Sequence, residues 1–340
     1  MQSKPVVRLA AAMLSLLTMP AAAMADSVSD FYQGKRLTVV CGCSAGGVYD
    51  VFSRFVAQYM PKHIPGQPQM IVQNMPGAGG AVSANHMANL AAKDGTTLSV
   101  PLSSVVLAQV LTPNQIKYDA TKFGWLGIAT PMTETISVLS NSPATTIAQA
   151  KTTQLIIGAT AKNSQSYQEP ALAAALLGLK FKITTGYEGG TLITLAMERG
   201  EVHGKAQAWT TWQEQRPDWI KENKIVHLMQ IGTKDPALPN VPALVDLVTT
   251  EREKAMAGIL DISSDTGLAL YTAPDVPVDR LAALRGAFGA MMKDAEFVKV
   301  MKEKINQTVQ FKSGEDFQAY VVKSVATPKD IVDDVNKIIQ

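Results

Sequence analysis

The chain has 340 residues, 46% of them apolar and 18% charged, with 31 Lys and Arg against 29 Asp and Glu and two cysteines. That apolar content supplies a large core and the length suits two domains. Near-neutral charge excludes a nucleic-acid binder, which needs a basic face to displace counterions.

Lys4 and Arg8 precede an apolar stretch from Leu9 to Leu17, and Ala23-Met24-Ala25 has the small-residue pattern of a secretory cleavage site. The expected leader is therefore 1–25, cut after Ala25, with a mature chain from Asp26. No cysteine follows the cut, which excludes a lipoprotein signal. The leader's only charges are Lys4 and Arg8, so the remaining 315 residues carry 29 basic and 29 acidic side chains. No later apolar run approaches the ~20 residues needed to cross a bilayer. A soluble periplasmic protein is expected.

Lys35 to Gly42 reads as a strand, with β-branched Thr38, Val39 and Val40. Asp50 to Met60 then has helical spacing at Phe52, Phe55, Val56 and Tyr59. A second unit follows: strand Gln69 to Gln73, loop Pro76-Gly77-Ala78-Gly79-Gly80, helix Ala81 to Ala91. Asp94-Gly95 turns the chain into a strand from Thr96 to Pro101. This alternation predicts an α/β domain with a largely parallel sheet.

The pattern restarts after Trp125, with strands predicted at Thr135–Ser140, Gln154–Ala159, Phe181–Thr185, Lys205–Trp209 and Ile225–Ile231. Helices are predicted at Ser164–Leu177, Thr191–Arg199 and Trp212–Ile220. The tail offers a strand at Gly267–Tyr271 and amphipathic helices at 277–292, 294–304, 314–324 and 328–338. If the tail packs back on the first domain, domain 1 comprises 26–127 and 233–340 and domain 2 comprises 128–232. The hinge then lies near 124–130 and 227–233. The run from Pro236 to Pro242 reads as an ordered loop beside it.

Two cysteines in an oxidising compartment invite a disulfide. Cys41 and Cys43 lie two apart at the end of a strand, however, where a bridge closes a very short ring. Two small buried thiols are expected instead. His63, His86, His203 and His227 lack ligand spacing, so no metal site is expected, and no cofactor motif is present.

A loop between a strand and a helix presents free backbone N–H groups at the positive end of the helix dipole, which is an anion site. Gly46-Gly47 and Gly77-Ala78-Gly79-Gly80 have the permissive backbone to aim several N–H groups inward. Either run alone would be explained by the turn; two in succession in an exported chain point to a ligand. Gly42-Cys43-Ser44-Ala45-Gly46-Gly47 is not a dinucleotide fingerprint, since Cys43 occupies a required glycine place, and no Lys-Ser/Thr pair makes a phosphate loop. Ser44 lacks the Gly-x-Ser-x-Gly elbow, and nothing places Glu188 and Glu169 at a working separation, so no catalytic set assembles.

The series Phe31-Tyr32-Gln33-Gly34-Lys35, Ser44-Ala45-Gly46-Gly47-Val48-Tyr49-Asp50, Asn74-Met75-Pro76-Gly77-Ala78-Gly79-Gly80 and Ala92-Lys93-Asp94-Gly95-Thr96-Thr97-Leu98, followed by Tyr187-Glu188-Gly189-Gly190, resembles the Bug family of solute receptors of tripartite tricarboxylate transporters. The resemblance spans essentially the whole mature chain. It implies a two-domain α/β fold of the periplasmic-binding-protein type (type II), with a hinge and an interdomain ligand cleft that closes on a small organic acid. The partner implied is a membrane permease, and a monomer is expected.

Carried over by position, the first wall is Ser44, Ala45, Gly46, Gly47, Tyr49 and Asp50 with Ala78 and Gly79. Asp50 is expected to brace its loop rather than touch an anion. The second wall is Thr160, Ser164, Ser166, Gly190 and Thr191, with Gln207 and Trp209 on the following strand. The chain departs from the family at His203, where Asp is usual, and at Tyr49, where Thr is commoner. Lys205 and Trp209 make the second wall more cationic and bulkier, so the solute can differ from a simple dicarboxylate. The competing readings are a TRAP-type receptor, which needs a buried Arg clamp, whereas Arg54, Arg199 and Arg216 fall in predicted helices or at their ends and not in the cleft loops, and a periplasmic enzyme using Glu188 or His203.

Overall fold

The computed structural model describes residues 28–162 and 164–339; the expected leader, its cut after Ala25 and Asp26 lie outside the described residues. One sheet contains β1 (Arg36–Cys41), β2 (Gln69–Asn74), β3 (Thr97–Val100), β4 (Gly124–Ile128), β10 (Ala269–Thr272) and β11 (Lys312–Ser313), in the order β11-β4-β10-β3-β1-β2. The other contains β5 (Glu134–Leu139), β6 (Leu155–Gly158), β7 (Phe181–Thr184), β8 (Gly204–Ala208) and β9 (Ile225–Ile231), in the order β7-β6-β8-β5-β9. Parallel pairing is confined to β2-β1-β3 and β7-β6-β8, which corrects the expectation of largely parallel sheets. β5, β10 and β11 run antiparallel to their neighbours; β5 follows directly on β4 of the other sheet with no helix between them.

The first sheet has helices on both faces. Leu37 and Val39 of β1 point to one face, with Leu98, Leu126 and Leu270 of its neighbours. They meet Phe52 and Val56 of α1 (Val48–Tyr59), Leu284 and Phe288 of α8 (Val278–Met291), and Phe297 and Met301 of α9 (Ala295–Ile305). Val40, one residue on, points to the other face, where Trp125 and Tyr271 meet Val105 and Val106 of α3 (Ser104–Leu111) and Phe317 of α10 (Gly314–Val325). This alternation of faces is that of a β-strand.

The second apolar cluster runs on into the second lobe. Met256, Ile259 and Leu260 of α7 (Glu251–Thr266) and Val335 and Ile339 of α11 (Lys329–Ile339) join Leu172, Ala173 and Leu177 of α4 (Gln165–Leu177) and Ile136, Val138 and Ile157 of the second sheet. The tail thus packs on both lobes: its strands lie in the first sheet, while α7 and α11 also cover α4.

Sequence reasoning overlooked α3 and α7. The start of α7 carries a full capping box, Thr250 with Glu253, but buried residues on several sides blur its apolar stripe. The single helix expected at Trp212–Ile220 is broken in two, α6 (Trp209–Gln215) and Pro217–Lys221, because Pro217 forbids a helical conformation at Arg216.

Two segments connect the sheets, and they are tied together. The Thr133 hydroxyl donates to the Thr233 carbonyl at 2.6 Å, and Met132 N–H donates to Ser264 at 2.9 Å. Beside them the buried Gln230 carboxamide donates to Leu238 and Val241 at 3.0 and 2.7 Å, which holds the proline-rich segment in place as the ordered loop expected there.

Candidate functional site

β1 and β2 lie in register from Arg36 opposite Gln69 to Cys41 opposite Asn74, and Met75 N–H donates to Cys41 at 2.7 Å. The two glycine loops therefore leave the sheet side by side at its carboxyl edge, where ligands bind in open α/β folds. Ser83 on α2 (Ala81–Asn89) comes so close to Gly42 that a Cβ there would lie 2.6 Å from its hydroxyl. Only glycine lets the second helix approach the first loop this closely.

In the first loop Ser44, Ala45, Gly46 and Gly47 are exposed, and Gly47 provides no side-chain cap for α1. The N–H groups of the first turn therefore receive no side-chain cap. Asp50 is buried; it accepts the Gly46 N–H at 2.9 Å, the Arg54 guanidinium at 3.0 Å on each oxygen and Asn74 at 2.8 Å. Burial alone would push its carboxyl up, but these donors outweigh burial and hold it below the usual range. Asp50 is thus an ionised strut inside the loop, with its acceptor capacity consumed.

The second loop contains four consecutive residues of positive φ: Gly77 at 138°, Ala78 at 46°, Gly79 at 59° and Gly80 at 87°. Ala78 is the costly member, since a Cβ in the left-handed region loses about 1 to 2 kcal/mol. Ser104 donates to Gly79 at 2.7 Å and Ser83 to Gly80 at 2.9 Å, turning the carbonyls back toward α3 and α2. No side chain caps α2.

Cys41 and Cys43 form a disulfide, correcting the expectation of two thiols. Two residues apart in an extended strand, their Cα atoms would lie about 6.6–7.2 Å apart. The chain leaves the strand at Gly42 and brings them to 5.2 Å, within bridging distance.

On the second lobe the hydroxyls cluster at the start of α4. Ser166 accepts the Thr160 N–H at 3.1 Å and lies 3.2 Å from the Thr160 hydroxyl and 2.8 Å from that of Ser164. Gly190 and Thr191 open α5 (Gly190–Glu198), are exposed, and carry no side-chain cap from Gly189. Gln207 is on β8, half-buried. Trp209 is not on that strand: it opens α6 and is buried with its ring 5.0 Å from His227. Asn163, among these loops, lies outside the described residues.

Tyr49, on α1, is half-buried against the first lobe's core. Desolvation pushes its phenol up, the Ser103 hydrogen bond opposes this, and the Glu134 charge adds to it. Glu134 belongs to an acidic group that sequence reasoning missed. Glu169 is 1% exposed, with Oε1 held by Gln165 at 2.6 Å and Oε2 lacking a partner; burial and then the neighbouring Glu134 push it up. Burial likewise raises Glu134 and carries Asp261 to about 7, although the Gly232 N–H at 2.7 Å works against the latter. Residues 134, 169 and 261 share no motif, so no signal in the chain joins them.

Lys205 is fully buried on β8 and donates to Gly190 O at 2.8 Å, Thr194 at 2.7 Å and the Gln207 carboxamide oxygen, with the Trp212 ring 4.8 Å away. Burial pushes it down to about 7. His203 accepts the Ile156 N–H at 2.9 Å, a contact within the second sheet. Arg54, Arg199 and Arg216 pair with Asp50, Glu201 and Glu198 respectively. Glu188 is exposed and Glu169 is buried in the acidic group. Among the described residues no cluster of three or more His, Cys, Asp or Glu is placed to hold a metal, and no helix is long and apolar enough to cross a membrane.

No protein-family model matches the chain. It is 27% identical over 295 residues to the UPF0065 protein in the TAR-I ttuE-ttuC' intergenic region of Agrobacterium vitis, covering 84% of this chain and 79% of that one. It is 30% identical over 257 residues to the UPF0065 protein in the gbd 5' region of Cupriavidus necator, covering 70% and 71%. Among solved structures, a TctC solute-binding protein from Polaromonas matches with a TM-score of 0.69 at 18% identity, covering 89% of this chain and 99% of that one. The periplasmic binding protein BugD matches at 0.60 and 19%, covering 90% and 98%. MatC from Rhodopseudomonas palustris with bound malate matches at 0.59 and 19%, covering 90% and 99%. The expected two-domain periplasmic-binding-protein fold is the one these structures share. On the strength of the Cupriavidus relative, this chain belongs to the UPF0065 family, the Bug group of solute-binding proteins.

Proposed function

We propose that the protein is an extracytoplasmic receptor that binds a small organic acid between its lobes and delivers it to the membrane permease of a tripartite tricarboxylate-type transporter. The observation that carries this reading is the pair of uncapped glycine loops aligned by the β1–β2 register, with the ionised Asp50 turned inward and paired with Arg54. The first lobe, 26–127 with 233–340, offers backbone N–H groups from Ser44 to Tyr49 and from Ala78 and Gly79 to a carboxylate. The second, 128–232, meets the other end with Thr160, Ser164, Ser166, Gly190, Thr191 and Gln207. Malate on a structure of the same fold, and adipate on another, support a carboxylate as ligand. The protein acts as a monomer in the periplasm after cleavage behind Ala25, without catalysis.

Closure follows from contacts made only when both lobes touch the solute, which shift the hinge; we assign it to the connections 129–133 and 232–233 rather than to the expected 124–130 and 227–233, which fall largely within β4 and β9. A ligand touching one wall leaves the equilibrium unmoved. The test is a thermal-shift screen of the mature chain against di- and monocarboxylates, amino acids and neutral solutes. A ligand at 100 times its Kd adds about 2.7 kcal/mol to stability. A carboxylate is expected to raise Tm, and Gly79→Asp, which sets a negative charge in the loop, to abolish the rise. Stabilisation by neutral or cationic solutes alone overturns the proposal.

A further inference from the structure

Resting on the receptor reading, we infer that Cys41 and Cys43 are positioning residues of the solute site: their bridge holds the first glycine loop in its binding form, so that a carboxylate binds the oxidised protein and binds the dithiol form weakly. Cys41 is the last residue of β1 and has no exposed surface. It lies opposite Asn74 of β2 on one side and Val100 of β3 on the other, and its carbonyl accepts the Met75 N–H at 2.7 Å. Cys43 is already off the strand, and the exposed run 44–47 departs from it. The bridge therefore joins the root of the loop to a residue that the sheet holds from both sides.

The hydrogen bonds at this end of the loop are weak. Gly42 N–H donates to Val100 at 3.1 Å, which continues the ladder one residue past Cys41. Beyond it the Asn74 carboxamide nitrogen lies 2.8 Å from Asp50 Oδ1, 3.3 Å from the Cys43 carbonyl and 3.6 Å from Cys43 Sγ. Two N–H groups thus face three acceptors, and the charged one is nearest, so Cys43 is left with the long contacts. The far end differs, because ionised Asp50 grips the Gly46 N–H at 2.9 Å. With the bridge closed both ends are fixed; with it open only the far end is. A loop that the solute must order draws the ordering cost from its affinity. Opening by dithiothreitol breaks the Sγ–Sγ bond: each sulfur gains an electron and a proton, and the reagent loses two of each as it closes into its cyclic disulfide. Binding and redox state are then linked, so the factor by which reduction weakens the carboxylate is the factor by which bound carboxylate protects the bridge.

The experiment titrates malate, adipate and a wider panel of carboxylates, by calorimetry, into the oxidised and the dithiothreitol-reduced mature chain near pH 6, where free thiols keep their protons and add no charge to the loop. Reduction is expected to weaken the tightest carboxylate about tenfold or more, while the Tm of the unliganded protein moves little. In dithiothreitol buffers, saturating carboxylate should shift the redox equilibrium toward the bridge by the same factor, which a bridge that only stabilised the fold would not allow. The double substitution Cys41→Ser with Cys43→Ser should bind like the reduced chain; if it fails to fold, reduction of the wild type still decides. Equal affinity in the two redox states, or a redox equilibrium that carboxylate leaves unmoved, overturns this inference and leaves the receptor reading standing. So does a reduced chain that no longer folds, since the bridge would then serve the fold rather than the site. Binding of no carboxylate by the oxidised chain overturns both.

Discussion

The carboxamide of Asn74, at the end of β2, donates to the carboxylate of Asp50, in the first turn of α1, at 2.8 Å. One hydrogen bond thereby sets the spacing between the two glycine loops. Asp50→Ala removes it together with the Gly46 and Arg54 contacts. The expected loss of stability is about 2–4 kcal/mol, since hydrogen bonds to a buried charge contribute about 1.5–3 each and are not additive. Carboxylate binding should weaken as well, although Asp50 would repel the ligand if it touched it. Arg54→Ala should cost about 1 kcal/mol or less, because that side chain is 56% exposed. Urea melts of both variants decide it; equal losses would show that Asp50 serves Arg54 rather than the loop.

The left-handed run in the second loop gives two substitutions of opposite sign. Ala78→Gly relieves the strained residue and should be neutral to about 1 kcal/mol stabilising, after the entropy the glycine adds to the unfolded chain. Gly80→Ala places a Cβ at φ 87° and 3.2 Å from Leu102 and Val105, and should cost about 1–3 kcal/mol. Only the second should impair binding. A destabilised Ala78→Gly would contradict the backbone conformation.

The acidic group sets a pH dependence. A carboxyl whose folded pKa is raised stabilises the protein while protonated, below its unfolded value, and that contribution is lost as pH rises through the raised value. For Asp261 this spans the ordinary carboxylate range to about 7, and Glu134 and Glu169 shift the same way. Glu169→Gln should therefore raise Tm more at pH 8 than at pH 5. Lys205 runs oppositely, its folded pKa being lowered to about 7, so it adds stability as pH climbs from there toward the ordinary lysine value. A Glu169→Gln gain identical at both pH values would contradict the assignment.

The Cys41–Cys43 bridge should survive purification without reductant. Mass spectrometry after alkylation should find both sulfurs blocked until reduction. A ring this short constrains the unfolded chain little, so reduction should cost about 1.5 kcal/mol. Alkylation of both cysteines in the unreduced protein would refute the pairing.

The strand, loop and helix around the first glycine run were legible because their signals are local: β1, Gly46, Gly47 and Asp50 fall within fifteen residues, and the change from β-branched residues to helical spacing marks the loop between them. The second wall was harder. Trp209 continues the apolar strand pattern in sequence, yet the strand ends at Ala208 and the indole turns into the lobe's own core. Lys205 reads as a cationic residue of the cleft wall, yet it is fully buried under α5 and Trp212. The disulfide was hidden because chain direction beyond Cys41 cannot be read from spacing. The acidic group is visible only once 134, 169 and 261 are brought together in space.

The helices α7 and α11, which cover α4, also limit how this receptor can be rebuilt. Excised alone, 128–232 would bare Leu172, Ala173 and Leu177 to water, so it should aggregate rather than fold. A chimera that borrows the middle segment of a relative to change its solute must import matching faces on 251–266 and 329–339. Inherited variation in the pocket is accordingly expected in single loops rather than in whole exchanged lobes.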